Sequence, residues 1–79
     1  MSGRPVKRSI MIAGHRTSVS LEAPFWDGLK VLAEDRDLTV AQLIAEIDAA
    51  RVEMGLSGAL RVAVLRYYQE LASIGASKL

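Results

Sequence analysis

Between positions 9 and 22 the core-compatible side chains recur at every second residue: Ile10 and Ile12, then Thr17, Val19 and Leu21. A period of two belongs to a strand with one buried face. Gly14-His15 stands between the two halves like a turn, so residues 9–13 and 16–22 read as the arms of a hairpin. With those two residues as the loop, Ile12 sits opposite Thr17 and Ile10 opposite Val19, and the apolar side chains share one face. Arg16, Ser18 and Ser20 then occupy the other face. Strand 16–22 can equally pair with its own copy in a second chain, and the pattern leaves both pairings open.

After Glu22 the period lengthens to that of a helix. Pro24 suits a first helical turn, and Phe25, Leu29, Leu32 and Ala33 follow at helical spacing to about Arg36. Asp37 ends this helix where glycine is usual. Thr39-Val40-Ala41-Gln42 has the form of a capping box, which predicts a second helix from Thr39 to about Val52 with Val40, Leu43, Ile44 and Ile47 as its stripe. Gly55 interrupts it. Ser57 can cap a third helix to about Ser73, with Leu60, Val64, Tyr67 or Tyr68, and Leu71 on its apolar side. The fold class is mainly α with a short β-ribbon.

Size changes the picture. A chain of 79 residues buries only about 60% of its unfolded surface. It has no cysteine for a disulfide, and its single histidine argues against a metal site. Yet 51% of its residues are apolar. An isolated two-stranded ribbon is marginal in water, and a symmetric dimer would complete the core. The same economy argues against an enzyme: there is little room for a closed pocket, no nucleophile–base pair, and no expected cofactor. The apolar run nearest the N-terminus, Ile10 to Ala13, is too short for a signal peptide or a membrane span. The expected location is the cytoplasm, with no membrane partner.

The net charge of +1 hides an asymmetry. Residues 1–20 carry Arg4, Lys7, Arg8 and Arg16 and no acid, whereas residues 21–79 carry six bases and nine acids. The reading is a flexible basic arm over residues 1–8, a domain over 9–74 and a frayed tail over 75–79. Such an arm suits a polyanion, with Arg4, Lys7 and Arg8 tracking phosphates. No aromatic residue lies in the arm to stack on bases, which argues against single-stranded nucleic acid.

The run Thr17-Ser18-Val19-Ser20-Leu21-Glu22, then Pro24-Phe25-Trp26, then Leu38-Thr39-Val40-Ala41-Gln42-Leu43-Ile44, resembles a ribbon-helix-helix protein over residues 16–52. Ala13 to Glu22, Ile47-Asp48-Ala49-Ala50-Arg51 and the segment from Leu56 to Arg61 resemble one small bacterial subgroup of that family, which extends the likeness over most of the chain. The resemblance implies an intertwined homodimer with an intermolecular ribbon, here with an extra C-terminal helix. It implies a DNA-binding transcriptional regulator whose ribbon enters the major groove of double-stranded DNA. By position, Arg16, Ser18 and Ser20 would face the bases, and Thr39 with the Val40 amide would hold a backbone phosphate. The chain departs from the pattern in having two short serines among its three outward residues and in having Asp37 at the turn.

Two other readings stand beside this one, the first supported by the extra third helix and the weak ribbon chemistry, the second by a polar cluster around Asp48 and Arg51. One is an antitoxin-like or adaptor dimer that binds a protein partner through its helical body. The other is a sensor of a small polar ligand at the dimer interface, held by Asp48, Arg51, His15 and Arg61. Against the second, Asp48 and Arg51 lie three apart on one helix and can simply pair with each other. His15 equally suits an ordinary turn. Trp26, Tyr67 and Tyr68 are expected in the core or an interface, and Phe25 and Trp26, being adjacent, cannot both face one core.

Overall fold

The computed structural model describes residues 3–77. Two antiparallel strands, β1 (Pro5–Ile12) and β2 (His15–Glu22), precede three helices, α1 (Ala23–Asp35), α2 (Val40–Ala50) and α3 (Leu56–Ser77). Within the chain β2 pairs with β1 along one edge, and its other edge carries no strand among the described residues and stays open to a second copy. The strand starts at Pro5, four residues before the expected Ser9, so residues 5–8 belong to the hairpin instead of a flexible arm. Residues 1 and 2 of that arm lie outside the described residues.

The register is offset by two positions from the expected one. Ile12 faces His15, Ile10 faces Thr17, Arg8 faces Val19 and Val6 faces Leu21. A shift of two leaves every side chain on its expected face. It is favoured because it sets Val6 against Leu21 and lengthens the hairpin. The loop is Ala13-Gly14, not Gly14-His15, and both residues have positive φ, 51° and 82°. That is the backbone of a type I′ turn, whose twist matches the strands.

Helix α1 follows the hairpin directly and has proline in its first turn. It ends in a Schellman arrangement. The Leu38 amide donates to the Ala33 carbonyl at 2.8 Å and the Asp37 amide to that of Glu34 at 3.1 Å. Asp37 adopts φ 58° to make this turn, a conformation that costs a non-glycine residue roughly 1 kcal/mol. Its carboxylate lies between the negative end of α1 and the positive end of α2, so its two dipole interactions oppose each other. Asp37→Gly is therefore expected to stabilise the fold by roughly 0.5–1 kcal/mol, seen as a rise of a few degrees in the thermal midpoint. A lower midpoint would show that the carboxylate matters more than the backbone.

Helix α2 begins with the expected capping box. The Gln42 amide donates to Thr39 Oγ1 at 3.0 Å, and the Thr39 amide donates to Gln42 Oε1 at 2.8 Å. The helix stops at Ala50, two residues before the expected Val52. Helix α3 starts at Leu56, one residue before the expected cap Ser57, with the Gly55 carbonyl accepting from the Ala59 amide at 2.9 Å. It continues past the expected end at Ser73 to Ser77, since no proline or capping residue stops it and Gly75 alone costs only about 1 kcal/mol. Residues 75–77 of the expected frayed tail are thus helical; 78 and 79 lie outside the described residues.

The core sits where the inner face of the hairpin meets the three helices. Val19 and Leu21 from β2, Leu29 from α1, Leu43 and Ile44 from α2 and Leu60 from α3 are its fully buried members. Each such side chain stabilises the fold by about 1.5–3 kcal/mol through burial. Trp26 is buried with them, while Phe25 is half-buried at the edge, so the two adjacent aromatics divide as expected. Tyr67 is partly buried and Tyr68 exposed, with their rings edge to face at 5.2 Å. Among the described residues no helix is long and apolar enough to cross a membrane.

Candidate nucleic-acid interface

Strand alternation and the register together fix the outer face of the hairpin. Lys7 lies opposite Ser20, Ser9 opposite Ser18, and Met11 opposite Arg16. Five of the six side chains are exposed and Ser20 partly so. Two cations therefore share a surface with three serines and a methionine. The acid next along this face, Glu22, is held at the base of the hairpin by Arg61. Arg61 Nε donates to Glu22 Oε1 at 2.9 Å and Nη2 to Oε2 at 3.1 Å. The bidentate Arg61 guanidinium keeps the Glu22 carboxyl below the usual carboxylate range.

Arg8 takes a different place from Lys7. It alternates to the inner face, where its guanidinium lies 5.3 Å from the centre of the Trp26 ring. The indole also donates from Nε1 to the Val6 carbonyl at 2.9 Å. Trp26 thus holds the start of β1 from the main chain and the side chain at once. Arg4 is exposed just before the strand.

At the start of α2 the capping box uses the Thr39 and Gln42 amides. The amides of Val40 and Ala41 are the ones it does not use, and they point out of the positive end of the helix. Asp37, exposed two residues before the cap, sets a negative charge beside them.

The four residues considered for a polar ligand are not joined into one site. Arg61 is engaged by Glu22 and lies over Phe25, 5.9 Å from the ring centre. Asp48 accepts from Arg51 Nε at 2.7 Å, and Arg51 also donates from Nη1 to the Met54 carbonyl at 3.1 Å. That pair ties the end of α2 to the loop after it. His15 is exposed beside the hairpin turn. An open groove of about 550 Å³ runs past Arg51 between α2 and α3, but neither Asp48, His15 nor Arg61 lines it. Among the described residues no group of acids and histidines is placed to hold a metal ion.

The family model described as ribbon-helix-helix domain matches residues 5–68, from the first strand into the third helix. The chain belongs to the ribbon-helix-helix domain family. An uncharacterized protein from Bordetella pertussis Tohama I, known as a solved structure, is similar to it at 34% identity with a TM-score of 0.70. The match covers 90% of this chain and 60% of that one, so the chain spans about three-fifths of the length of that relative. No curated protein matches the chain. In this ribbon-helix-helix domain, Met11 and Ser9 join the outer face although the sequence pattern does not single them out. The available signal is the continuation of the alternation through Ser9 and Lys7 to Pro5, which Arg8 on the apolar face obscures. Glu22 as the partner of Arg61 carries no local signal, because the two are 39 positions apart.

Proposed function

We propose that this chain is a DNA-binding transcriptional regulator that acts as a homodimer. The outer face of its ribbon lies in the major groove of a duplex. The observation that carries the reading is that face: Lys7 and Arg16 among short polar side chains, with its one nearby acid neutralised by Arg61. A β-ribbon fits the major groove, and members of the family are typically DNA-binding regulators or antitoxins.

Arg16 is the side chain able to grip guanine through two hydrogen bonds, and Met11 opposite it offers an apolar contact for a thymine methyl. Ser18 and Ser20 are short acceptors and donors that discriminate weakly. Lys7 and Arg4 serve the phosphate backbone, and the Val40 amide with Thr39 takes a further phosphate. Arg8, exposed but turned to the helix side of the ribbon, covers the face of Trp26. The mechanism is occlusion of a promoter, with no chemistry.

Electrophoretic shifts on duplexes selected from a random pool test this. Arg16→Ala is expected to weaken the preferred duplex by about 1–3 kcal/mol, roughly 5- to 150-fold, and to relax the choice at one base pair. Lys7→Ala is expected to weaken all duplexes alike. It should also make the salt dependence shallower by nearly one unit for each phosphate that lysine no longer neutralises. Absence of duplex binding at low salt, or binding indifferent to Arg16→Ala, would sink the reading.

A further inference from the structure

Glu22 closes the outer face of the ribbon. It is the one acid among residues 1–22, so the charge of that face depends on what becomes of its carboxylate. Alternation places it two residues beyond Ser20, at the end of β2 and opposite Pro5. That sets its backbone about 7 Å from Ser20 along the strand and about 7–8 Å from Lys7 on the diagonal. Both distances lie within one Debye length, about 10 Å at 0.1 M salt. An uncompensated carboxylate here would cut the net charge of the face, two from Lys7 and Arg16, to one.

What meets that carboxylate comes from α3, 39 positions on. Arg61 grips it through two hydrogen bonds, 2.9 Å from Nε and 3.1 Å from Nη2. Both oxygens accept from one guanidinium, so the carboxylate is turned toward α3 and its charge is matched at contact distance. The guanidinium is itself held, since it lies 5.9 Å from the centre of the Phe25 ring in the first turn of α1. The side chains of Arg61 and Glu22 remain 37% and 30% exposed. An ion pair that wet adds little to the stability of a domain. Its larger effect is on the field at the ribbon.

We propose that Arg61 is a positioning residue for duplex binding, a counter-charge that α3 brings to the ribbon to keep the Glu22 carboxylate from the phosphates. The inference rests on the ribbon reading above and deepens it. The third helix, which touches neither Lys7 nor Arg16, sets the charge of the surface that the duplex meets. The fork of the guanidinium suits the task, because a lysine would match the carboxylate from a single point.

Binding of the selected duplex at about 0.1 M salt, with thermal melting of each chain, tests the proposal. Arg61→Gln frees the carboxylate and is expected to weaken binding about 3- to 10-fold. Glu22→Gln removes the carboxylate and leaves the Arg61 cation, so binding should equal or exceed that of wild type. The double variant should return to within about twofold of wild type, since the charge that Arg61 answers is gone. Arg66→Gln takes the same charge from α3, but in a groove with no strand residue in its wall, and should change binding by less than about twofold. The spread among the variants should narrow at about 0.3 M salt. A pair that served the fold alone gives a different pattern: both single variants and the double lower the melting midpoint and weaken binding together. That pattern overturns the proposal, as does Arg61→Gln binding no more weakly than Arg66→Gln. In either case the Arg16 effect still carries the ribbon reading. A wild type that binds no duplex at low salt removes the ribbon reading and this inference with it, and every variant is then equally silent.

Discussion

Replacing Trp26 with alanine is expected to cost about 3–5 kcal/mol, a large part of the roughly 4–12 kcal/mol that stabilises a domain of this size. Three contributions add. The indole is buried in the core, its Nε1 donates to the Val6 carbonyl at 2.9 Å, and the Arg8 guanidinium covers its face at 5.3 Å. The second of these decides what else is lost. Val6 belongs to β1, so Trp26 ties the outermost part of the hairpin to α1 across 20 positions of sequence. Trp26→Phe separates the terms, since it keeps an aromatic ring and removes the donor. Its expected cost is about 1–3 kcal/mol, with faster amide exchange concentrated at residues 5–8. Denaturant melts and hydrogen exchange read both numbers. Unchanged exchange in Trp26→Phe would show that the carbonyl bond does not hold β1.

Gly28→Ala is expected to destabilise the chain although alanine is the better helix former. A Cβ at position 28 would stand 2.5 Å from Val64 Cγ1, closer than real Cβ contacts occur. Val64 is buried and β-branched, so its methyl cannot swing aside cheaply. Overfilling such a site costs about 1–3 kcal/mol, against a gain of roughly 1 kcal/mol from helix propensity. The net loss should be up to about 2 kcal/mol. The same change in a Val64→Ala background should be neutral or stabilising, because the opposing methyl is gone. Thermal melts of the four chains give the coupling directly. A coupling near zero would mean that α1 and α3 can separate without loss.

Much of this architecture is legible in the chain because its signals are local. The capping box needs only Thr39 and Gln42, and the left-handed turn at Asp37 is foreshadowed by a helix that stops where glycine is usual. Outward and inward positions on β2 follow from alternation alone, and a register offset of two leaves them intact. The first half of β1 is not legible, for a physical reason. Arg8 occupies an inner position that an alternation rule reserves for apolar residues, and the Trp26 face that makes the position tolerable lies 18 residues away. The consequence for the candidate site is specific. Lys7 moves from a loose arm to a fixed place opposite Ser20, and Met11 enters beside Arg16. The expected ligand cluster does not assemble for the same kind of reason, since the partner that claims Arg61 is Glu22, on a distant strand.

A hairpin closed within one chain has a kinetic meaning. Strands joined by two residues zip in about 1–10 µs, a first-order event that does not wait for diffusional encounter. A ribbon shared between two chains would instead assemble at a rate set by concentration. The part of the ribbon that one chain closes by itself, β1 on β2, can therefore form on a newly made chain at nanomolar abundance, before any copy is met. Refolding followed by Trp26 fluorescence should accordingly have a half-time that does not change on dilution.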